Sequence, residues 1–294
     1  MLSPLTPNHI TIDPVSHFFD TSMEIAVLRL DKLHPIISGN KWFKLRYYLE
    51  EAKAQNKKTI VTYGGAWSNH IIATAAACKM NGLNSVGIIR GEEPAELSPT
   101  LSQAKEWGMR LIFIPRTGYR GKYMPEEFTS KEYYTIDEGG YGKQGAAGAA
   151  TIFEHIPAQF THYCCAAGTG TMSAGLANAI ETDQKVISVS VMKNNHSLEK
   201  MIGSLLIPTK KMPEVVHDYH FDGYAKYQPP LLQFMNDFYQ GTHIPSDFVY
   251  TGKLFYAIGD LLKKGFFPPD SKILLIHSGG LQGNLSLRKG TLMF

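Results

Sequence analysis

Strand-like apolar runs alternate with helix-patterned segments along most of this chain, and that alternation restricts it to architectures built on parallel sheets. EIAVLRL at 24–30 reads as a strand, the segment after Asn40 as a helix, TIVTY at 59–63 as a strand and NHIIATAAACKMNG at 69–82 as a helix closed by Gly82. NSVGIIR at 84–90 and RLIFI at 110–114 are strands flanking SPTLSQAKEWG, a helix with Ser98 as N-cap, Pro99 at its first position and Gly108 as its stop. Residues 115–135 are rich in Pro, Gly, Tyr and charge, with little apolar periodicity, and read as a surface connection or a crossing between domains. The rhythm then resumes with GAAGAATIFEHI as helix, THYCCAA as strand, TMSAGLANAIE as helix and KVISVSVM as strand. Near the C-terminus GKLFYAIGDLLKKG is helical and SKILLIHSGG is a strand running into glycines. Crossover helices cover both faces of a parallel sheet, so the expected fold is α/β, with two open, mostly parallel twisted sheets carrying helices on both faces.

Composition narrows the function classes. At 294 residues and 44% hydrophobic content the chain can fill one large or two modest domains. The net charge of +3 and the lack of a long Lys/Arg run argue against nucleic acid as a partner. The start, MLSPLTPNHITIDPVSHFF, has no basic segment followed by an apolar one, and no apolar run has bilayer length, so a cytoplasmic protein without a membrane partner is expected. Three cysteines, two of them the adjacent Cys164 and Cys165, do not make a disulfide framework, and eleven histidines fall into no CxxC or HExxH spacing, so no metal is expected.

In open α/β sheets ligands bind beyond the carboxyl ends of strands. Three such junctions are glycine-rich: YGGAWSNH at 63–70, AAGTGTMSAG at 166–175 and HSGGLQG at 277–283. The second has the make-up of a phosphate cradle, with Gly168 and Gly170 to turn N–H groups inward, the Thr169 and Thr171 hydroxyls, and a helix N-terminus behind. It lacks the Gly-Lys-Ser/Thr ending of a Walker loop and the dinucleotide GxGxxG pattern, and a plain tight turn is the competing reading. SGNKWFKL at 38–45 adds Lys41 and Lys44 on one face of a first helical turn, where the macrodipole favours anions over cations. Either the lysines are simply solvated, or an anionic ligand sits there. A cradle plus a lysine at a second junction, with a partner for a pyridine nitrogen, is what pyridoxal phosphate requires.

HPIISGNKWFKL, YGGAWSNH, AAGTGTMSAG, VYTGK and IHSGGLQG, in this order, resemble the family of 1-aminocyclopropane-1-carboxylate deaminase and D-cysteine desulfhydrase, pyridoxal phosphate enzymes with the tryptophan synthase β-subunit fold. The motifs extend from about Val27 to Gly283. The resemblance implies a large cofactor-binding domain of residues 1–46 and 137–294, a small one of 47–136, the cofactor between them, and a homodimer. By that resemblance Lys41 matches the Schiff-base lysine, and Lys44, Gly168, Thr169, Gly170 and Thr171 the phosphate site. Asn69 matches the partner of the cofactor's 3-hydroxyl, with a simple N-cap as the alternative. Ser68 matches a serine near the substrate Cα and Tyr250 a tyrosine against the ring. Tyr224 matches a second active-site tyrosine, with Tyr227 close enough to leave the register open. His70 and Trp67 flank the serine as pocket or packing residues, and Glu138 lies near a loop lining the substrate cleft.

Two positions bear on the reaction. True 1-aminocyclopropane-1-carboxylate deaminases have a glutamate after the VY tyrosine, paired with the pyridine nitrogen, and a leucine after the histidine of the HxGG loop. Here these are Thr251, placed on the substrate side, and Ser278. A neutral hydroxyl leaves the pyridine nitrogen unprotonated and the ring a weaker electron sink. Such a sink suffices for α-proton loss and expulsion of a good β-leaving group better than for opening a carbon ring. The expected activity is therefore β-elimination from a small amino acid such as D-cysteine, with Lys41, Ser68, Tyr224 and Tyr250 as the catalytic set. Deamination of the cyclopropane, racemisation, dehydration and a catalytically silent homologue are the alternatives.

Overall fold

A computed structural model describes residues 9–128 and 132–294; the first eight residues of the expected large-domain span and residues 129–131 of the 115–135 connection lie outside that description. In chain order the elements are β1 (Ile12–Pro14), α1 (Ser16–Phe19), β2 (Glu24–Arg29), α2 (Asn40–Ala54), β3 (Thr59–Gly64), α3 (Asn69–Met80), β4 (Asn84–Arg90), α4 (Pro99–Glu106), β5 (Met109–Ile114) and α5 (Arg116–Arg120). They continue with β6 (Tyr133–Ile136), α6 (Lys143–Ala150), β7 (His162–Ala167), α7 (Thr171–Ala179), β8 (Lys185–Ser190), α8 (Leu198–Gly203), β9 (Glu214–Val216), α9 (Pro229–Thr242), α10 (Thr251–Lys263) and β10 (Lys272–His277).

The strands form two sheets. One has the order β1-β2-β10-β7-β8-β9, parallel except for the antiparallel edge strand β1, and the other the order β5-β4-β3-β6, parallel throughout. Consecutive side chains on β7 point to opposite faces, so Cys164 belongs to the core on one side of the larger sheet and Cys165 to the core on the other. Both thiols, like that of Cys78, are free and buried. Where the sequence suggests only a connection, Tyr133–Ile136 adds a fourth strand beside β3.

Local chemistry sets the helix starts. The Ser98 hydroxyl accepts from the Leu101 N–H at 3.2 Å with Pro99 in the first turn, and the Ser68 hydroxyl accepts from the Ile71 N–H at 3.4 Å. Helix α2 begins at Gly39, whose φ of +63° suits glycine and whose Cα faces the Ser278 carbonyl so closely that a Cβ would collide with it. α2 thereby joins the two halves: Phe43 packs into a core of the larger sheet, whereas Leu45, Tyr48, Leu49 and Ala52 pack with β3 and α3. A helix shared in this way places its first turn at the bottom of the cleft between the sheets.

On its other side α2 meets α6 at Gly148, where a Cβ would strike the Phe43 carbonyl. Gly148→Ala is expected to destabilise the protein by about 1–3 kcal/mol, because the neighbour is backbone and cannot swing away. Urea denaturation measures this, and an unchanged midpoint would show that the two helices separate at no cost.

Candidate active site

A cavity of about 690 Å³ opens between the sheets, lined by residues just beyond the carboxyl ends of strands from both. Ser68, Asn69 and His70 come from the β3–α3 junction, Gly168, Thr169 and Gly170 from the β7–α7 junction, and Ser278, Gly279 and Gly280 from the end of β10. Lys41 and Lys44 rise from the first turn of α2, and Tyr224 and Tyr250 close another side with rings edge to face at 6.1 Å.

Neither lysine is in an ion pair among the described residues. Lys41 Nζ donates to Asn40 Oδ1 at 2.9 Å. Enclosure lowers its pKa to about 8, and the Asp247 carboxylate partly opposes that shift. Lys44 is only 5% exposed, and burial together with the Lys41 charge holds its amine well below the usual lysine range.

Asn69 Nδ2 donates to the Gly280 carbonyl at 3.4 Å, leaving Oδ1 buried and without a partner. The N-cap of α3 is Ser68, so the simple capping alternative for Asn69 falls away. Thr62 Oγ1 donates to the Ile136 carbonyl at 2.7 Å and therefore accepts from His70 Nε2 at 2.8 Å. His70 is accordingly a neutral Nε2–H tautomer with Nδ1 bare. Burial and the two lysine charges depress its basicity well below the usual histidine value.

Of the two candidate tyrosines, Tyr224 lines the cavity, while Tyr227 packs edge-on against Phe248 at 5.4 Å and lies off the cavity wall. Burial raises the pKa of both Tyr224 and Tyr250. Trp67 and Glu138 also reach the wall.

Two of the expected site residues lie off the cavity wall. Thr251 is fully buried and absent from the wall; its Oγ1 donates to Asp247 Oδ1 at 2.7 Å and accepts from the Asp247 N–H at 2.8 Å. It thus secures the start of α10 instead of facing a substrate. Thr171 is likewise buried, its hydroxyl 2.9 Å from that of Thr169, and leaves the wall to Thr169, Met172 and Ser173. Gly170, at φ +75°, turns the chain into α7.

Sequence reasoning missed Arg90, Arg116 and Asp247. Arg90 ends β4 and Arg116 stands two residues beyond β5, where the carboxyl-end rule points, but neither junction has a glycine-rich motif to draw attention. Asp247 caps α10 through Val249, Tyr250 and Thr251 N–H groups at 2.8 to 3.0 Å, and burial raises its pKa in spite of those donors.

The sequence profile of the family described as "Pyridoxal-phosphate dependent enzyme" matches residues 11–279. A Pyrococcus horikoshii protein provisionally named 1-aminocyclopropane-1-carboxylate deaminase is 28% identical over 92% of this chain and 90% of its own. The mitochondrial bifunctional D-cysteine desulfhydrase/1-aminocyclopropane-1-carboxylate deaminase of Arabidopsis thaliana is 28% identical over 88% of this chain and 73% of its own. A solved structure of an ACC deaminase homologue superposes with a TM-score of 0.83 at 27% identity, covering 96% of this chain and 92% of that one.

Proposed function

Because this chain belongs to the pyridoxal-phosphate dependent enzyme family, we propose that its cleft carries out β-elimination from a small amino acid, with D-cysteine and water giving pyruvate, ammonia and hydrogen sulfide. The wall suits the cofactor: two enclosed amines without carboxylate partners call for an anion, and the orphaned Asn69 Oδ1 calls for a hydroxyl donor. Bound pyridoxal phosphate supplies an aldehyde that takes up amino groups and a ring that accepts electrons from Cα.

Lys44, with the Gly168–Gly170 backbone and the Thr169 hydroxyl, would hold the phosphate; Asn69 would take the ring hydroxyl and Ser278 the ring nitrogen. Lys41 would anchor the cofactor and, when free, take the Cα proton at Nζ, since an amine titrating at about 8 is a usable base near neutral pH. Ser68, Tyr224 and Tyr250 orient the substrate and carry protons, and the free N–H groups at the start of α3 bind its carboxylate. His70, fixed by Thr62, keeps the floor neutral between the two lysines. Residues 47–136 form the small domain of this arrangement, over a large domain of 1–46 and 137–294. We take the protein to act as a homodimer in the cytoplasm. Among the described residues no helix is long and apolar enough to cross a membrane.

The observation that carries the choice of reaction is Ser278. Ser278 lines the cavity just beyond β10, and the one carboxylate on the described wall, Glu138, lies beside Tyr119. A neutral partner keeps the electron sink weak, which suffices to expel sulfide. Cyclopropane ring opening is the second reading, favoured by the names of the Pyrococcus and Arabidopsis relatives. Purified holoenzyme is expected to release keto acid and sulfide from D-cysteine at least about tenfold faster than ammonia from 1-aminocyclopropane-1-carboxylate, a barrier difference of ~1.4 kcal/mol or more. Equal or faster ring opening would overturn the assignment.

A further inference from the structure

The cavity is not closed at its substrate end. It runs on into a second space of about 570 Å³, and the two share Arg90, Arg116 and Glu138. Arg90 ends β4, which pairs with β5 so that Arg90 stands opposite Ile114; Arg116 follows two residues beyond, at the same sheet edge. The Arg90 guanidinium lies against Gly65, 3.3 Å from where a Cβ would be, in the loop leading to Ser68. It also sits 5.7 Å from the centre of the Tyr119 ring. Neither arginine forms an ion pair among the described residues, although Glu138 shares the wall, and Lys122 is committed to Asp137 at 2.8 Å. Tyr119 is 7% exposed, and burial together with the Glu138 carboxylate beside its hydroxyl raises its pKa. Two guanidinium groups without ion pairs face the single Glu138 carboxylate on this opening, which leaves its wall net positive and open to an anion.

We propose that Arg90 and Arg116 form a subsite for an anionic group at the far end of the substrate's side chain, so that the preferred substrates are α-amino acids whose β-substituent ends in a carboxylate or another oxyanion. The inference rests on the reading that the cleft takes an α-amino acid at Lys41, and makes D-cysteine a small substrate that leaves this subsite unfilled. Glu138, on the same opening, repels an anionic end group, but the two arginine charges outweigh its one.

Calorimetric titration of the holoenzyme with glutamate and with glutamine, each as both enantiomers, tests the subsite, because the two side chains differ in charge and hardly in shape. At least tenfold tighter binding of glutamate is expected for the accepted enantiomer. Arg90→Gln with Arg116→Gln should abolish that preference without changing glutamine affinity, and the paired Arg→Lys variants should keep part of it. Equal affinities in the unmodified enzyme would overturn the proposal. So would a parallel loss of both ligands in the Gln variant, which would assign the arginines to the α-carboxylate or to structure. An arginine-dependent glutamate preference in a holoenzyme that makes no keto acid from D-cysteine would uphold the subsite and defeat the elimination reading instead.

Discussion

Lys41→Ala should lower elimination from D-cysteine by at least about a thousandfold, because one amine is asked both to anchor the cofactor and to move the Cα proton, and a positioned general base alone contributes 10²–10⁴. Lys41 is suited to this work by its surroundings. Enclosure at the base of the cleft brings its pKa to about 8, while Asn40 Oδ1 at 2.9 Å fixes the amine without neutralising it. The same pKa gives a second readout independent of turnover. Only the unprotonated amine attacks an aldehyde, so cofactor uptake by apo protein should rise about tenfold per pH unit below 8 and level off above it. Borohydride reduction of holoenzyme followed by peptide mass mapping should find the adduct on Lys41. A label on Lys44, or a Lys41→Ala variant retaining more than a tenth of the activity, would reject the assignment.

What the sequence made legible follows from how each signal arises. Buried parallel strands need continuous apolar runs and their crossover helices need caps, so β2 to β5, β7, β8 and β10 can be read directly, as can the Ser98 and Pro99 helix start. Strand β6 could not, because it is an edge strand with only Ile136 fully buried and lies in a stretch dominated by turn formers and charge. Helix α9 carries a pattern in Leu231, Met235 and Phe238, which pack inward at helical spacing behind two prolines at its start.

At the site, motif position identified the junctions but not the direction of each side chain. Thr169 and Thr171 look equivalent in GTGT, yet Thr169 precedes the Gly170 turn and reaches the wall, whereas Thr171 opens α7 and is buried. Thr251 occupies the position of a cofactor-facing residue, but Asp247, four residues earlier, captures its hydroxyl and its N–H. A carboxylate preceding a helix by one turn is a capping signal available from sequence, and it competes with the functional reading of any hydroxyl that follows. Arg90 and Arg116 became visible only when β4 and β5 were seen to end at one edge.

Lys44→Met is expected to have opposite effects on the apo protein and on the cofactor complex. In the apo protein the Lys44 amine is almost fully buried beside Lys41 with no carboxylate to pair with, which depresses its pKa in the folded state. The unfolded chain, with a lysine pKa of ~10.4, then binds more protons than the folded one between the depressed value and ~10.4. Stability from this group therefore rises with pH across that window; its penalty is full below the folded pKa and gone above ~10.4. Methionine keeps the length and removes the penalty, so apo Lys44→Met should resist denaturant better than the unmodified apo protein at neutral pH, with the advantage shrinking as pH approaches 10. With the phosphate present the sign reverses. One charge-assisted contact contributes about 1.5–3 kcal/mol, so cofactor affinity should fall by roughly 10- to 150-fold, while Lys41 remains able to form its bond to the cofactor. Denaturant titrations of both apo proteins at two pH values, set beside cofactor titrations, decide the matter: a variant no more stable when empty, or equally tight when loaded, would show that the Lys44 amine is not the waiting partner of an anion.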